Sequence, residues 1–142
     1  MPKTDQSTVI DAPIADVWSR FDNFHDLSWA PGVITDVQKE GNIDGSSVGA
    51  KRVLNNAFYE TLIEKNNDEY WLKYTIDNGP SPISKDEVSN YIGIVKLSNT
   101  GEGGATLVEW TSSWESESDG AVDFCHGIYV ALLGELSKSF NQ

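Results

Sequence analysis

Apolar and polar residues along this chain follow three successive rhythms. Gln6 to Ile10 is short and rich in β-branched residues, which predicts a strand. Pro13 stands where a helix would begin, its fixed φ and missing N–H suiting a first turn. Ile14, Val17, Trp18 and Phe21 then recur at i, i+3, i+4 and i+7, a single apolar helical face. A second short helical turn is expected around Asn23 to Leu27, stopped by Trp29, Ala30 and Pro31. From Val33 the period becomes two. Strands are expected at Val33–Glu40, Ser47–Leu54, Phe58–Lys65, Glu69–Asp77, Glu87–Ser98 and Ala105–Ser116. Asn-, Gly- and Asp-rich breaks separate them, so they read as an antiparallel meander and not as βαβ units. The segment Asp119 to Asn141 returns to helical spacing, with Val122, Cys125, Tyr129, Leu132, Leu133, Leu136 and Phe140 on one side and His126 at the edge of that stripe. At 1.5 Å per residue it would run about 33 Å. The fold class is α+β: an antiparallel sheet of about seven strands, two short helices and a long C-terminal helix, as a single domain over residues 1–142.

Strand parity divides the two faces of the sheet. In the last strand Val108, Trp110, Ser112 and Trp114 share one face, and two tryptophans would not be left in water while Glu109 was buried. In the strand before, Tyr91, Gly93, Val95 and Leu97 point inward; before that, Leu72, Tyr74 and Ile76. The inner wall is thus aromatic, but Tyr74, Tyr91 and Ser112 each carry a hydroxyl that needs a partner once buried. A cavity with a few placed polar groups fits this pattern better than a solid core. Trp18 reads as core filling, whereas Trp110 and Trp114 suit either core or ligand contact.

A sharper signal comes from the hairpin at Asn55–Ala57. A three-residue loop there pairs Leu54 with Phe58 and sets Arg52 opposite Glu60, both on the apolar face. A buried ion pair is weak evidence for stability, because desolvation offsets most of its attraction. It either orients a polar ligand group or supplies a proton, or it is a structural pair at the sheet rim.

Composition narrows the function classes. The chain has 142 residues with 22 acidic against 10 basic side chains, a net charge of −12 that disfavours nucleic acid. No stretch approaches the roughly 20 apolar residues of a membrane span, and the N-terminus lacks the apolar run of a signal peptide. With one cysteine, Cys125, there is no internal disulfide. The expectation is a cytoplasmic protein, monomer or homodimer. His25 and His126 fall in separate elements without metal-ligand spacing, so no metal and no cofactor is expected. Gly101–Gly104 lies between two strands and reads as a hairpin turn, not a phosphate loop. Cys125 and His126 are sequence neighbours, so on a helix they diverge by about 100° and do not form a thiol–imidazole pair.

Several short motifs in order carry a likeness: Ile10-Asp11-Ala12-Pro13 through Val17-Trp18; Phe24, Leu27 and Trp29-Ala30-Pro31; Gly45, Val48-Gly49 and Arg52; then Glu60, Tyr74-Thr75-Ile76 and Val108-Glu109-Trp110. In them the chain resembles the START and birch-pollen-allergen (SRPBCC, helix-grip) superfamily, especially its polyketide cyclase/dehydrase-like branch, over about Gln6 to Phe140. The resemblance implies a helix-grip fold, in which the curved antiparallel sheet and two short helices wrap around the long C-terminal helix, with a cavity for a small hydrophobic molecule, such as a lipid or polyketide, beneath that helix. Arg52, Glu60, Tyr74 and Trp110 would line it, with Tyr129 and His126 facing them from the helix. Together with the inward set, the expected ligand-binding residues are Arg52, Glu60, Tyr74, Tyr91, Trp110, Ser112, Trp114, His126, Tyr129 and Leu133. The superfamily shares no single catalytic set. If the chain is an enzyme of the cyclase/dehydratase kind, Glu60 with His126 or Tyr74 are the acid–base candidates. A protein–protein module using the acidic surface is a further alternative.

Overall fold

The computed structural model describes residues 2–100 and 104–141. Among them the elements are β1 (Lys3–Ile10), α1 (Ile14–Phe21), β2 (Val37–Glu40), β3 (Lys51–Leu54), β4 (Phe58–Asn66), β5 (Trp71–Asn78), β6 (Ser89–Asn99), β7 (Thr106–Glu115) and α2 (Val122–Ser139). The strands form one antiparallel sheet in the order β1-β7-β6-β5-β4-β3-β2. The expected meander therefore runs from β2 to β7, and β1 closes onto its far end beside β7. The fold is α+β with the long helix against the inner face of the sheet, as expected.

Local chemistry sets the boundaries. Pro13 caps α1, and its carbonyl accepts from the N–H groups of Asp16 and Val17 at 3.0 and 3.1 Å. Val17, Trp18 and Phe21 bury the face that the spacing identified. The expected second short helix is instead a run of turns, closed by Asp26 N–H to Asn23 O and Ala30 N–H to Leu27 O. The Asn23 and Asp26 side chains accept from the backbone N–H groups of His25 and Ser28, which holds the chain in turns in place of a helix. β2 starts at Val37, not Val33, because Val33 and Ile34 donate back to Ala30 O. β3 starts at Lys51, not Ser47: Asp44 builds a turn through Ser46 and Ser47, and Gly49 adopts φ +99°. At the β3–β4 hairpin Asn55 and Asn56 both take left-handed conformations (φ 55° and 54°), which asparagine tolerates better than most residues. Gly101–Gly103 of the expected Gly101–Gly104 turn lie outside the described residues; Gly104 has φ +73°.

Eighteen residues make α2 about 27 Å long, shorter than the expected span. Its buried side is Cys125, Tyr129, Leu132, Leu133 and Leu136. The C-terminal half is tied down: Gly32 N–H donates to the Glu135 carboxylate, and Arg20 donates to Ser139 Oγ at 3.1 Å with its guanidinium 4.1 Å from the Phe140 ring. Among the described residues no helix is long and apolar enough to cross a membrane.

Candidate functional site

The hairpin joining β3 to β4 sets the register read from the sequence: Leu54 pairs with Phe58, and Arg52 with Glu60. Both charged side chains are buried, at 7% and 6% exposure. Arg52 sends Nε (2.8 Å) and Nη2 (2.6 Å) to the same oxygen, Glu60 Oε1. Nη1 donates to the Phe24 carbonyl at 2.8 Å, and the guanidinium lies 3.7 Å from the Phe24 ring centroid. Glu60 Oε2 has no hydrogen-bond partner among the described residues. Burial pushes the Glu60 carboxyl above its ordinary range, and the Arg52 charge pulls it part of the way back.

Beside this pair, with the Arg52 guanidinium 5.8 Å from the Tyr74 ring centroid, three phenols meet. Tyr74 on β5, Tyr91 on β6 and Tyr129 on α2 are all buried. The Tyr129 hydroxyl stands 2.8 Å from that of Tyr74 and 2.6 Å from that of Tyr91, and Trp110 Nε1 on β7 donates to the Tyr74 oxygen at 2.9 Å. Gly93 makes this possible. It pairs with Tyr74 across β5 and β6, and a Cβ there would run into the Tyr74 ring. Burial drives all three phenols upward, away from ionisation. The Cys125 thiol beside them is raised for the same reason.

The pair and the phenols line a cavity of about 290 Å³, the size of a small ligand site. Its polar lining is Arg52, Glu60, Asn55 and the three tyrosines with Trp110. Leu27, Ile34, Leu54, Ile83 and Leu132 supply much of the apolar wall, and half-buried Val33, Phe58, Ile76, Pro80, Phe124 and Ile128 edge it.

Of the residues expected at a ligand, the structure gathers Arg52, Glu60, Tyr74, Tyr91, Trp110 and Tyr129 on this cavity. Four it places elsewhere. Ser112 and Trp114 do point inward, but Ser112 bonds Thr4 Oγ1 at 2.6 Å under β1, and Trp114 stacks behind Tyr91 at 5.2 Å. Leu133 packs into the core away from the cavity lining. His126 does not face the cavity: it is exposed, and its Nδ1 lies 2.9 Å from Gln6 Oε1 on β1. The reason is the roll of α2. At about 100° per residue, Phe124, Ile128 and Leu132 flank Cys125 on one side of the stripe, and His126 and Leu133 on the other. The helix turns the first side to the cavity and the second to β1. Phe124 and Ile128 were legible as apolar neighbours of the stripe. Pro80 and Ile83, in the β5–β6 loop, have no periodic signal. Among the described residues no group of three or more His, Cys, Asp or Glu side chains converges as a metal site would need.

The family described as polyketide cyclase/dehydrase and lipid transport matches residues 1–140. No functionally curated protein matches the chain in sequence. A protein from Nitrosospira multiformis, solved by structural genomics, is 45% identical with a TM-score of 0.95, over 98% of this chain and 96% of that one. XoxI from Bacillus cereus is 27% identical, TM-score 0.82, over 100% and 97%. Norcoclaurine synthase from Thalictrum flavum, solved in complex with dopamine and hydroxybenzaldehyde, has a TM-score of 0.75 over 96% of this chain and 84% of that one. At 16% identity that likeness is one of fold alone.

Proposed function

Because the chain belongs to the polyketide cyclase/dehydrase and lipid transport family, within the START and birch-pollen-allergen superfamily, we propose that it binds a compact, mainly apolar small molecule between the sheet and α2. One observation carries this reading: a cavity of about 290 Å³ whose apolar wall is interrupted by a buried ion pair with a carboxylate oxygen left unbonded. Apolar surface provides the affinity and the few polar groups fix orientation. The volume suits one or two rings, since it equals about ten waters at roughly 30 Å³ each. Native mass spectrometry of freshly purified protein tests this, with Ile128→Trp as the filled-cavity control. Wild type is expected to carry or take up a small molecule that the variant does not. Equal uptake by both proteins would place binding somewhere else.

A second reading, acid–base catalysis, is favoured by one specific feature. Glu60 lines the cavity as a carboxyl raised by burial with one oxygen unbonded, the two features a general base needs. Tyr74 is the acid–base partner that shares this cavity. Glu60→Gln should then abolish turnover and leave binding of the same molecule within a few-fold, whereas a retained rate removes Glu60 from any mechanism.

A further inference from the structure

The hydrogen-bond count around the phenols narrows what the cavity can hold, given the proposed reading of it as a ligand site. Tyr74, Tyr91 and Tyr129 are neutral, so each brings one hydroxyl hydrogen. They share two O···O contacts, and each contact uses one hydrogen. The Trp110 indole is a donor only; it fills an acceptor position on Tyr74 and takes up no hydrogen. One O–H is therefore left over, however the hydroxyls rotate.

Extending the chain does not absorb it. Ser112 is within hydrogen-bonding reach of Tyr91, and Thr4 bonds Ser112. Five hydroxyls then share four contacts, and the far end is again met by a donor, Gln6 Nε2 at 3.3 Å from Thr4 Oγ1. None of the five donates to a backbone carbonyl among the described residues. The Cys125 sulfur beside Tyr91 is a weak acceptor. At the ion pair that lines the same cavity the imbalance is reversed. Glu60 Oε2 is an acceptor without a donor, because both Arg52 groups that reach the carboxylate converge on Oε1.

We infer that the occupant is a neutral molecule with an acceptor oxygen, such as a carbonyl, for the surplus tyrosyl O–H and a hydroxyl donor for Glu60 Oε2, and that the site discriminates against carboxylates. The discrimination follows from charge. Arg52 and Glu60 already cancel, and the guanidinium is committed to Glu60, the Phe24 carbonyl and the Phe24 ring. A second carboxylate would sit in the apolar cavity without a counter-charge.

Calorimetric titration of the wild-type protein with four probes tests this: a hydroxytetralone with ketone and phenol on opposite rings, its methyl ether, tetralin, and decanoate. The hydroxytetralone is expected to bind about tenfold more tightly than the ether, the size of one polar group left unpaired, and about a hundredfold more tightly than tetralin, which leaves both unpaired, with decanoate weaker than the ether. In Glu60→Gln the amide N–H₂ can face the cavity, so the preference for phenol over ether should shrink to under about threefold. If tetralin or decanoate binds as tightly as the hydroxytetralone, or the phenol preference survives in Glu60→Gln, the inference is wrong but the cavity still binds. If none of the four binds, or Ile128→Trp takes up tetralin as wild type does, the ligand-site reading fails first.

Discussion

Removing the Arg52–Glu60 pair in two steps separates stability from function. Each side chain is more than nine-tenths buried, so solvent screening does little for a survivor. Glu60→Leu leaves a guanidinium without its carboxylate, and Arg52→Met leaves a carboxylate without its donors. Breaking a buried pair from one side costs about 3–5 kcal/mol. Arg52→Met also deprives the Phe24 carbonyl of its Nη1 donor. The double variant differs in kind, because no charge remains. Exchange of a buried pair for packed apolar groups is neutral or gains about 1–4 kcal/mol, offset here by about 1–3 kcal/mol for the Phe24 carbonyl. The double variant should therefore lie within roughly 3 kcal/mol of wild type, against a sum of single losses of about 6–10 kcal/mol. The coupling is then at least about 3 kcal/mol. Urea unfolding of the four proteins, with m-values held equal, measures it. Additivity within about 1 kcal/mol would refute the reasoning, since it would mean that each charge finds solvent or another partner when left alone. A stable double variant that has lost ligand binding would show that the pair is kept for the site.

Further outcomes follow from the same geometry. Burial raises the Glu60 carboxyl above its ordinary value near 4.5, so the unfolded chain releases that proton first; the contribution is full below about 4.5 and is lost as pH rises through the raised folded value. Wild type should therefore lose stability relative to Glu60→Gln as pH climbs through that window, and parallel urea midpoints for the two proteins would contradict the shift. Gly93→Ala would drive a methyl into the Tyr74 ring and should cost about 1–3 kcal/mol, with a changed near-ultraviolet circular dichroism signal from the displaced aromatic cluster. Cys125 is buried, with its thiol pushed up, so a thiol-reactive dye should modify it slowly in the native protein and more slowly still with tetralin bound. Rapid labelling, indifferent to tetralin, would argue that the thiol is reached from outside the cavity.

Strand parity and hairpin length made the sheet legible from sequence. A three-residue loop after Leu54 admits one register, and that register alone brings Arg52 to Glu60. Parity failed where the period slipped: the irregularity between Leu62 and Glu64 on β4 turns Lys65 inward, where its Nζ bonds Asp22 and Ser46. The helical stripe on α2 was legible, but its roll was not. Which edge of a stripe meets a cavity is decided by packing against β1 and by the Glu135 and Arg20 anchors, none of which has a periodic signature. That placed His126 on the wrong side. Loops contributed Leu27, Val33, Ile34, Pro80 and Ile83 to the cavity for the same reason: turn chemistry predicts a reversal of direction, not which side chain it lowers into the interior.

The inner face is packed solid on one side and open on the other, and the polar groups stand on the boundary. Behind Tyr91 and Trp110 the interior is filled: Trp114 stacks flat on Tyr91, and Phe21 meets both Trp29 and Trp110 edge to face or tilted. In front of them the aliphatic loops stop short. Had those loops closed down, they would have sealed Glu60 Oε2 and one tyrosyl O–H into hydrocarbon, at about 1–3 kcal/mol for each unpaired group. On the closing loops Val33, Ile34, Pro80 and Ile83 offer only hydrocarbon, and the Asn55 side chain bonds the backbone of Val33, Thr35 and Asp36. The gain from burying a few more methyl groups is of the same order, about 0.8 kcal/mol per CH₂. The cavity is therefore held open by the mismatch between its polar wall and its aliphatic rim, and a molecule that brings both the donor and the acceptor removes that mismatch.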